Sequence, residues 1–244
     1  MTFAEGSSNP RSERRTLVVL QPGYLPWLGF FDQMRRSDVF IYYDDVQFDK
    51  HGWRNRNRIK SPSGPQWLTV PILHHGKGQP LINDTLIDTT SGWPRKHVGT
   101  LRQYYARAPY VKQYLPELEE LLNRPWTRIV DLDIAVVDLM AGWLKLTPTV
   151  VLASASGIGG ARSERLVNFC LHVGAQRYVS GSAARDYLDV GQFESRGIEV
   201  VWQDYHHPVY AQQHGPFVPC LSAIDLLLNC GDDSAAILKG EHTQ

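Results

Sequence analysis

The sequence concentrates charged and amide side chains in one segment, YYDDVQFDKHGWRNRNRIK, over residues 42–60. The carboxylates Asp44 and Asp45 end an apolar run at residues 39–43 that has the composition of a buried strand. Polar loops after buried strands are where α/β proteins build ligand sites. Guanidinium groups bind phosphates and carboxylates, so the segment predicts a site for an anionic ligand. Asp44 is a catalytic candidate, and the substrate-binding candidates are Asp45, Gln47, Asn55, Arg56, Arg58 and Lys60.

A solvated loop, in which the charges neutralise one another, is the alternative interpretation of this segment. Aromatic residues interrupt the cluster at Tyr42, Tyr43, Phe48 and Trp53, and solvated loops rarely need them. The aromatic residues therefore favour a structured site.

A second candidate is the turn QPGYLPWLGFF, over residues 21–31, which follows the first apolar run. Its prolines fix the backbone and its glycines allow close approach, so the turn could present backbone N–H groups to an anion. Gln21 and Tyr24 are its predicted substrate-binding residues. The alternative, which the sequence leaves open, is a rigid corner that packs Trp27 and Phe30 into the core.

A third candidate is the loop WQDYHHPVYAQ, over residues 202–212. His207 is a candidate general base, because an imidazole with a pKa of about 6.5 can take a proton from an amine or hydroxyl at neutral pH. Asp204 is the predicted carboxylate that orients it. A structural role, with His207 bonded to a backbone carbonyl, is equally open. Further substrate-binding candidates are Tyr210, Gln212 and, at the end of another predicted strand, Ser180.

Other motifs are weaker. The glycine-rich loop at residues 156–162 matches neither GxGxxG nor a P-loop, so a flexible connector is favoured over a phosphate site. No GxSxG elbow occurs, and the pairs His74-His75 and His206-His207 lack the spacing of zinc ligands. The sequence therefore predicts no metal site.

Composition excludes some classes of protein. The 244 residues carry 25 Lys and Arg against 25 Asp and Glu, so no overall field attracts nucleic acid. No apolar run is long enough for a membrane span. The three cysteines fit no zinc pattern and no disulfide framework, which predicts a cytoplasmic protein. Residues 1–15 are expected to form a flexible leader, followed by one domain over residues 16–244.

Strand and helix patterns alternate along the chain, which predicts an α/β fold. We expect one mostly parallel sheet of Rossmann-like type, with a helical insertion or cap at about residues 97–146. The predicted strands are residues 17–20, 39–43, 66–72, 150–153, 177–180 and 199–202. The predicted helices are residues 30–36, 97–107, 110–122, 126–146, 163–173, 182–188 and 221–228.

Six segments together resemble the WbqC-like protein family: QPGYLPWLGFF, DDVQF…WRNRNRIK, WLTVP, ERL…GAQRYVSG, WQDYHHPVY and F-VPCLSAIDLLLNCG. The resemblance as a whole extends over about residues 17–231. Members of that family tend to be encoded beside sugar aminotransferases and glycosyltransferases for surface polysaccharides, or in natural-product clusters. Cys220 stands where relatives often carry an aromatic residue, which argues against a nucleophilic role for this thiol.

The resemblance implies a biosynthetic group-transfer enzyme that forms an amide, by attaching an acyl or aminoacyl unit to an amino sugar or related metabolite. Its small-molecule substrate would be a sugar nucleotide or an activated acyl donor. The cofactor is left open, with ATP as one candidate.

Two other functions stay open. The opening strand, turn and helix resemble those of adenylyl-transferring nucleotidyltransferases, although this turn has no histidine in place of their HxGH motif. The third hypothesis is a non-catalytic protein that binds a small molecule or a nucleotide sugar. Ligand binding without turnover would distinguish it from both enzymes.

Overall fold

The structure, a computed structural model, describes residues 14–49, 52–73 and 80–241. Most of the predicted leader, residues 1–13, lies outside the described residues. The same holds for Lys50 and His51 of the charged segment and for the pair His74-His75.

Five short strands, rich in valine and other residues that suit a pleated surface, form an all-parallel sheet. The strands are β1 Thr16–Leu20, β2 Val39–Tyr42, β5 Thr149–Leu152, β6 Arg177–Gly181 and β7 Glu199–Gln203. Their order across the sheet is β5-β2-β1-β6-β7, so the chain adds strands on one side of the central strand β1 and then crosses to the other side. Counted along the chain within this sheet, this is the doubly wound order 3-2-1-4-5, with its switch point between β1 and β6.

Alternate residues of the buried strands supply two hydrophobic cores, one on each face of the sheet. Val18 and Phe40 face the larger core, whereas Leu17 and Val39 face the smaller one. The larger core contains α1 Leu28–Arg35, α2 Trp93–Tyr104, α3 Val111–Leu122, α4 Ile129–Trp143, α7 Ala223–Cys230 and α8 Ser234–Lys239. The smaller core contains α5 Arg162–Val173 and α6 Val190–Glu194. Single 3₁₀ turns lie at Ile82–Asp84, Thr89–Ser91, Ser182–Asp186 and Gly231–Asp233.

The α/β prediction is confirmed, including the helical insertion. Helices α2 to α4 share the larger core with one face of the sheet, and Tyr42 at the end of β2 donates a hydrogen bond of 2.8 Å to Asp138 of α4. The insertion begins at Trp93, four residues before the predicted start, because Pro94 occupies the first turn of α2, where a missing N–H costs nothing.

The prediction of one continuous sheet was wrong in one respect. The predicted strand at residues 66–72 corresponds to β4 Gly64–Thr69, which pairs antiparallel with β3 Arg56–Ser61 in a separate hairpin. Strand β3 lies in the segment predicted to be a polar loop. Burial does alternate along β3, because Asn57 and Ile59 are buried while Arg56 and Arg58 are half-buried. The sequence does not show this two-residue period, because one of the buried positions is a polar asparagine.

In the described part of the chain, every helix is too short or too polar to cross a bilayer.

Candidate active-site cleft

A cleft of about 840 Å³ opens at the carboxyl ends of β1 and β6, which is the switch point of the sheet. Parallel strands in this arrangement leave a crevice beyond their ends, because their connections run to opposite faces. Gln21 follows β1 and Ser180 lies in β6, so these two predicted site residues line the cleft. The start of α5 lies opposite and contributes Arg162 and Ser163.

Aromatic side chains form much of the wall. Trp27 and Phe30 come from the start of α1. Tyr178 lies within β6, and Tyr43 and Tyr187 lie in segments between regular elements. The core-packing interpretation of Trp27 and Phe30 therefore holds in part, because Phe30 is buried and Trp27 is partly buried against the core, and both also line the cleft. Apolar and aromatic walls with a few polar groups are typical of sites for small organic molecules.

Arg54 supplies a half-buried positive charge to the cleft. Its Nη1 donates hydrogen bonds of 2.8 Å to the carbonyls of Gln21 and Pro22, which fixes the guanidinium beneath the turn. Burial lowers the pKa of Arg54, but a guanidinium stays protonated at any ordinary pH. Within the described residues its buried Nε has no hydrogen-bond partner.

Gln33 is another polar residue that lines the cleft. Its Nε2 donates to Oε1 of Gln203 at 2.8 Å, and Gln203 in turn donates to Asp32 at 2.7 Å. This chain of amides leaves Oε1 of Gln33 buried and without a partner in the part of the chain that the structure describes. Arg54 and Gln33 thus both line the cleft, and each carries one buried polar atom that has no partner among the described residues.

The predicted carboxylates Asp44 and Asp45 hold the loop that precedes α5. Asp44 accepts hydrogen bonds from the backbone N–H of Ser154 at 2.9 Å and from its hydroxyl at 2.5 Å. Asp45 forms a two-bond ion pair with Arg165, at 2.9 and 2.5 Å, and Arg165 also donates to the carbonyl of Ile158. Both carboxylates are thus engaged with protein groups that position Arg162.

Tyr24 and Asn55 are buried beside the cleft rather than in its lining. The hydroxyl of Tyr24 lies 2.9 Å from Nδ1 of His97, and His97 also bonds the backbone of Thr69. Burial lowers the pKa of His97 to about 4, so it is neutral at physiological pH. Asn55 donates to the carbonyl of Val70 at 2.7 Å.

The remaining predicted residues of the charged segment lie on or near the hairpin, outside the cleft lining. The guanidinium of Arg56 stacks on Trp67 at 4.5 Å, and that of Arg58 lies 5.6 Å from the ring of Trp53. Gln47 is exposed. A binding role for these three residues stays a prediction.

Lys60, Tyr210 and Gln212 belong to a buried hydrogen-bond network around Asp225, which we call the Asp225 network. Asp225 accepts from the hydroxyls of Tyr105 at 2.7 Å and Tyr210 at 2.9 Å. Lys60 donates from its backbone N–H to the hydroxyl of Tyr105 and from Nζ to Gln212. Every member is engaged within the protein.

The structure does not bring Asp204 to His207. Asp204 has a side chain 91% exposed, and its nearest basic group is the equally exposed His206 at 3.8 Å. Nδ1 of His207 lies 2.9 Å from the carbonyl of Pro208, so the backbone orients the ring. Burial lowers the pKa of His207, and in the described chain its Nε2 is buried without a partner. Tyr205 lies between His207 and Trp27, with ring distances of 5.8 and 5.2 Å.

A model of the WbqC-like protein family matches residues 21–237. The chain belongs to this family. It is also 34% identical over 227 residues to "Uncharacterized protein Rv1507c" of Mycobacterium tuberculosis (strain ATCC 25618 / H37Rv), an alignment that covers 92% of this chain and 98% of that protein. No solved structure matches the chain.

Several polar residues of this WbqC-like cleft were not among the predicted site residues, and they include Arg54, Arg162 and Gln33. Arg54 lay inside the charged segment, with nothing to distinguish it from Arg56 and Arg58. Arg162 ended the glycine-rich loop, and its position before a helix was the available signal. Nothing in the sequence indicated that Gln33 lines a site, because a glutamine in an apolar helix ordinarily faces solvent.

The lining determines which chemistry the WbqC-like cleft can perform. Among the described lining residues there is no carboxylate, histidine, cysteine or lysine. Arginine, amide, serine and tyrosine side chains bind and orient a ligand and neutralise negative charge. Proton transfer by the protein would therefore need a group from outside the lining, such as His207.

Proposed function

We propose that this protein is a group-transfer enzyme whose cleft binds an anionic, phosphate-bearing donor. The observation that carries the proposal is the pair of guanidiniums, Arg54 and Arg162, in an aromatic-walled cleft at the switch point of a parallel sheet. Crevices at this place in doubly wound sheets commonly hold nucleotides. The guanidinium of Arg54 suits a phosphate or carboxylate oxygen, and the amide of Gln33 suits a hydroxyl or amino group.

The chemistry follows from the lining. Transfer from a phosphorylated donor needs alignment of the two reactants and neutralisation of the charge that develops on the leaving group. The guanidiniums of Arg54 and Arg162 can supply that neutralisation, while Trp27 and Phe30 exclude water from the reacting atoms.

The finer proposal is that the transferred unit is an acyl or aminoacyl group and that the product is an amide. The family context of sugar biosynthesis makes an amino sugar, free or linked to a nucleotide, the first acceptor to test. The donor is an acyl group activated as a coenzyme A thioester or, with ATP consumed, as an acyl phosphate or acyl adenylate. The amine attacks the acyl carbon, and the thiol, phosphate or AMP leaves as the amide forms. In this scheme Nε2 of His207 accepts the proton from the amine, since Nδ1 faces the carbonyl of Pro208.

Calorimetric titration tests the binding half of the proposal. ATP, a nucleoside diphosphate sugar and acetyl coenzyme A are the probes. We expect Arg54→Lys, which keeps the charge but loses the fork of donors, to weaken binding about 10- to 100-fold. Arg107→Ala, which removes an exposed arginine outside the cleft lining, is the matched control. Equal affinity of wild type and an equally stable Arg54→Lys variant would remove Arg54 from the site.

Turnover tests the catalytic half. Mass spectrometry of mixtures of donor, carboxylic acid and amino sugar should detect an amide, and nucleotide release should depend on both acceptor and acid. His207→Gln can hydrogen-bond but cannot take the proton, so we expect turnover to be lost about 100-fold or more while donor binding is kept. Unchanged turnover would assign His207 to the scaffold.

A second candidate function is non-catalytic binding of the same class of ligand. It is favoured by one observation: the described lining of the cleft contains no residue suited to proton transfer near neutral pH. Tight binding of a probe, with no product from any combination of donor and acceptor, would select it.

A further inference from the structure

A second pocket, of about 550 Å³, adjoins the cleft at the start of α5. The two cavities share three lining residues, Arg162, Ser163 and Tyr187. Molecules bound in the two cavities would therefore meet at these side chains. A group-transfer reaction requires such an arrangement, because donor and acceptor must be held with their reacting atoms in contact.

The second pocket differs from the cleft in chemistry. Its wall carries hydroxyl and amide groups on Asn168, Gln192 and Ser195, and it lacks the tryptophan and phenylalanine of the cleft. Amide and hydroxyl side chains both donate and accept, which suits a ligand with several hydroxyl groups.

Two guanidiniums in the wall of this pocket can contact an anionic ligand. The guanidiniums of Arg162 and Arg196 form no hydrogen bond or ion pair with any residue that the structure describes. The two carboxylates of the wall each accept a hydrogen bond from a neutral group. Glu164 lies in the first turn of α5 and accepts from the N–H of Ala161, and Asp189 accepts from Gln192 at 2.8 Å. The guanidiniums are thus the charged groups of the wall that have no partner within the described chain.

The backbone holds Arg162 between the cavities in a conformation that arginine seldom adopts. Its φ of +51° lies in the left-handed region. The preceding Gly160 has a φ of +114°, and a Cβ there would lie 3.1 Å from the backbone nitrogen of Arg165. Such strain persists only where the surrounding structure enforces it, and it clusters at functional sites.

We propose that the second pocket is the acceptor subsite and that it binds a sugar-like molecule bearing a phosphate. Arg196 and Arg162 contact the phosphate, and Arg162 also faces the donor in the cleft. The assignment as acceptor subsite rests on the proposed function. The binding chemistry of the pocket rests only on its own lining.

Titration with glucose 6-phosphate is the first test. We expect Arg196→Ala to weaken this binding about tenfold or more, because a charge-assisted contact is lost, and to leave ATP affinity unchanged. Arg162→Ala should weaken binding of both probes. Saturating ATP should leave glucose 6-phosphate bound, since the cavities are separate.

Three results would each overturn the inference. They are unchanged affinity for glucose 6-phosphate in Arg196→Ala, displacement of this probe by ATP, and binding of inorganic phosphate as tight as that of the sugar phosphate. Failure of the wild type to bind ATP would instead contradict the proposed function, while the comparison of Arg196→Ala with wild type would still test the pocket.

A pair of glycine variants tests the role of the strained arginine. Arg162→Gly and Lys145→Gly both relieve a positive φ, of +51° and +58°. Lys145 is exposed and lies outside both cavities. We expect each variant to raise the melting temperature by about 1–4 °C, or to leave it unchanged. Arg162→Gly alone should lose sugar-phosphate binding, about tenfold or more, and equal binding by both variants would contradict the role of Arg162.

Discussion

The cleft and the Asp225 network both contain buried polar groups, but those of the network have hydrogen-bond partners whereas two in the cleft have none within the described chain. In the network, the carboxylate of Asp225 has two hydroxyl donors, and Nζ of Lys60 has three acceptors. In the cleft, Nε of Arg54 and Oε1 of Gln33 lack partners within the described chain. A buried polar group without a partner costs free energy, so this wall of the cleft is less well satisfied by the protein itself than the network is.

Residues of similar type stabilise the fold in the network and are available to a ligand in the cleft. Lys60 and Arg54 lie six positions apart in one charged segment. Lys60 ties the loop at residues 212–216 to the hairpin, whereas Arg54 faces the cleft. Substitutions in the network should therefore affect stability, and those in the cleft should affect binding.

The largest expected effect is on the network. Asp225→Ala leaves the buried hydroxyls of Tyr105 and Tyr210 without their acceptor, so we expect a loss of about 3–5 kcal/mol in the free energy of unfolding. Chemical denaturation measures it. Asp186→Ala, at an exposed position, is the control and should change little. A loss below about 1 kcal/mol in Asp225→Ala would mean that the network does not hold the fold.

The next effect is a pH dependence that arises beside the cleft. The pKa of His97 is about 4 in the folded protein and about 6.5 in the unfolded chain. Between these values the unfolded chain binds more protons, so the free energy of unfolding falls as pH falls from 6.5 to 4, by about 3 kcal/mol in all.

Denaturation of wild type and His97→Gln across this pH range measures the contribution. The variant keeps hydrogen-bonding groups near Tyr24 but does not titrate, so its stability should fall less steeply. Parallel curves for the two proteins would exclude His97 as the source.

An intermediate effect is expected where scaffold and site meet. Asp45→Ala removes the two-bond partner of Arg165, which is largely buried against Tyr43 and Phe169. We expect a loss of about 1–3 kcal/mol in stability. The loop before α5 should also loosen, which would weaken ligand binding through Arg162. Calorimetry measures the affinity and denaturation the stability. A loss of stability without any loss of affinity would show that the loop before α5 does not contribute to ligand binding.

The smallest effect is expected at Asp204. Its side chain is 91% exposed, and its ion pair among the described residues is with exposed His206, so Asp204→Ala should change the free energy of unfolding by less than about 0.5 kcal/mol. Turnover should be unchanged as well, because the carbonyl of Pro208, and not Asp204, orients His207. A substantial loss of turnover would restore the predicted histidine-carboxylate pair.

The sequence alone determined the α/β class, because apolar runs at residues 17–20, 39–43, 150–153 and 177–180 are short, separated by helical patterns and bounded by turn residues. It also determined the family, because long and unusual motifs carry that information without any knowledge of contacts. Strand β3 was missed for a local reason: its solvent-facing positions are arginines, and its buried position 57 is an asparagine, so no apolar period marks it.

Only the tertiary structure decided which charges are available. Asp44, Asp45, Arg54, Arg58 and Lys60 have similar signals in the sequence, yet their partners lie at residues 154, 165, 21, 220 and 212. A charge is compensated or open according to the groups that folding brings within about 3 Å, and contacts across such sequence distances follow from the order of the strands. The switch point between β1 and β6, and with it the cleft, exists only once those strands are neighbours.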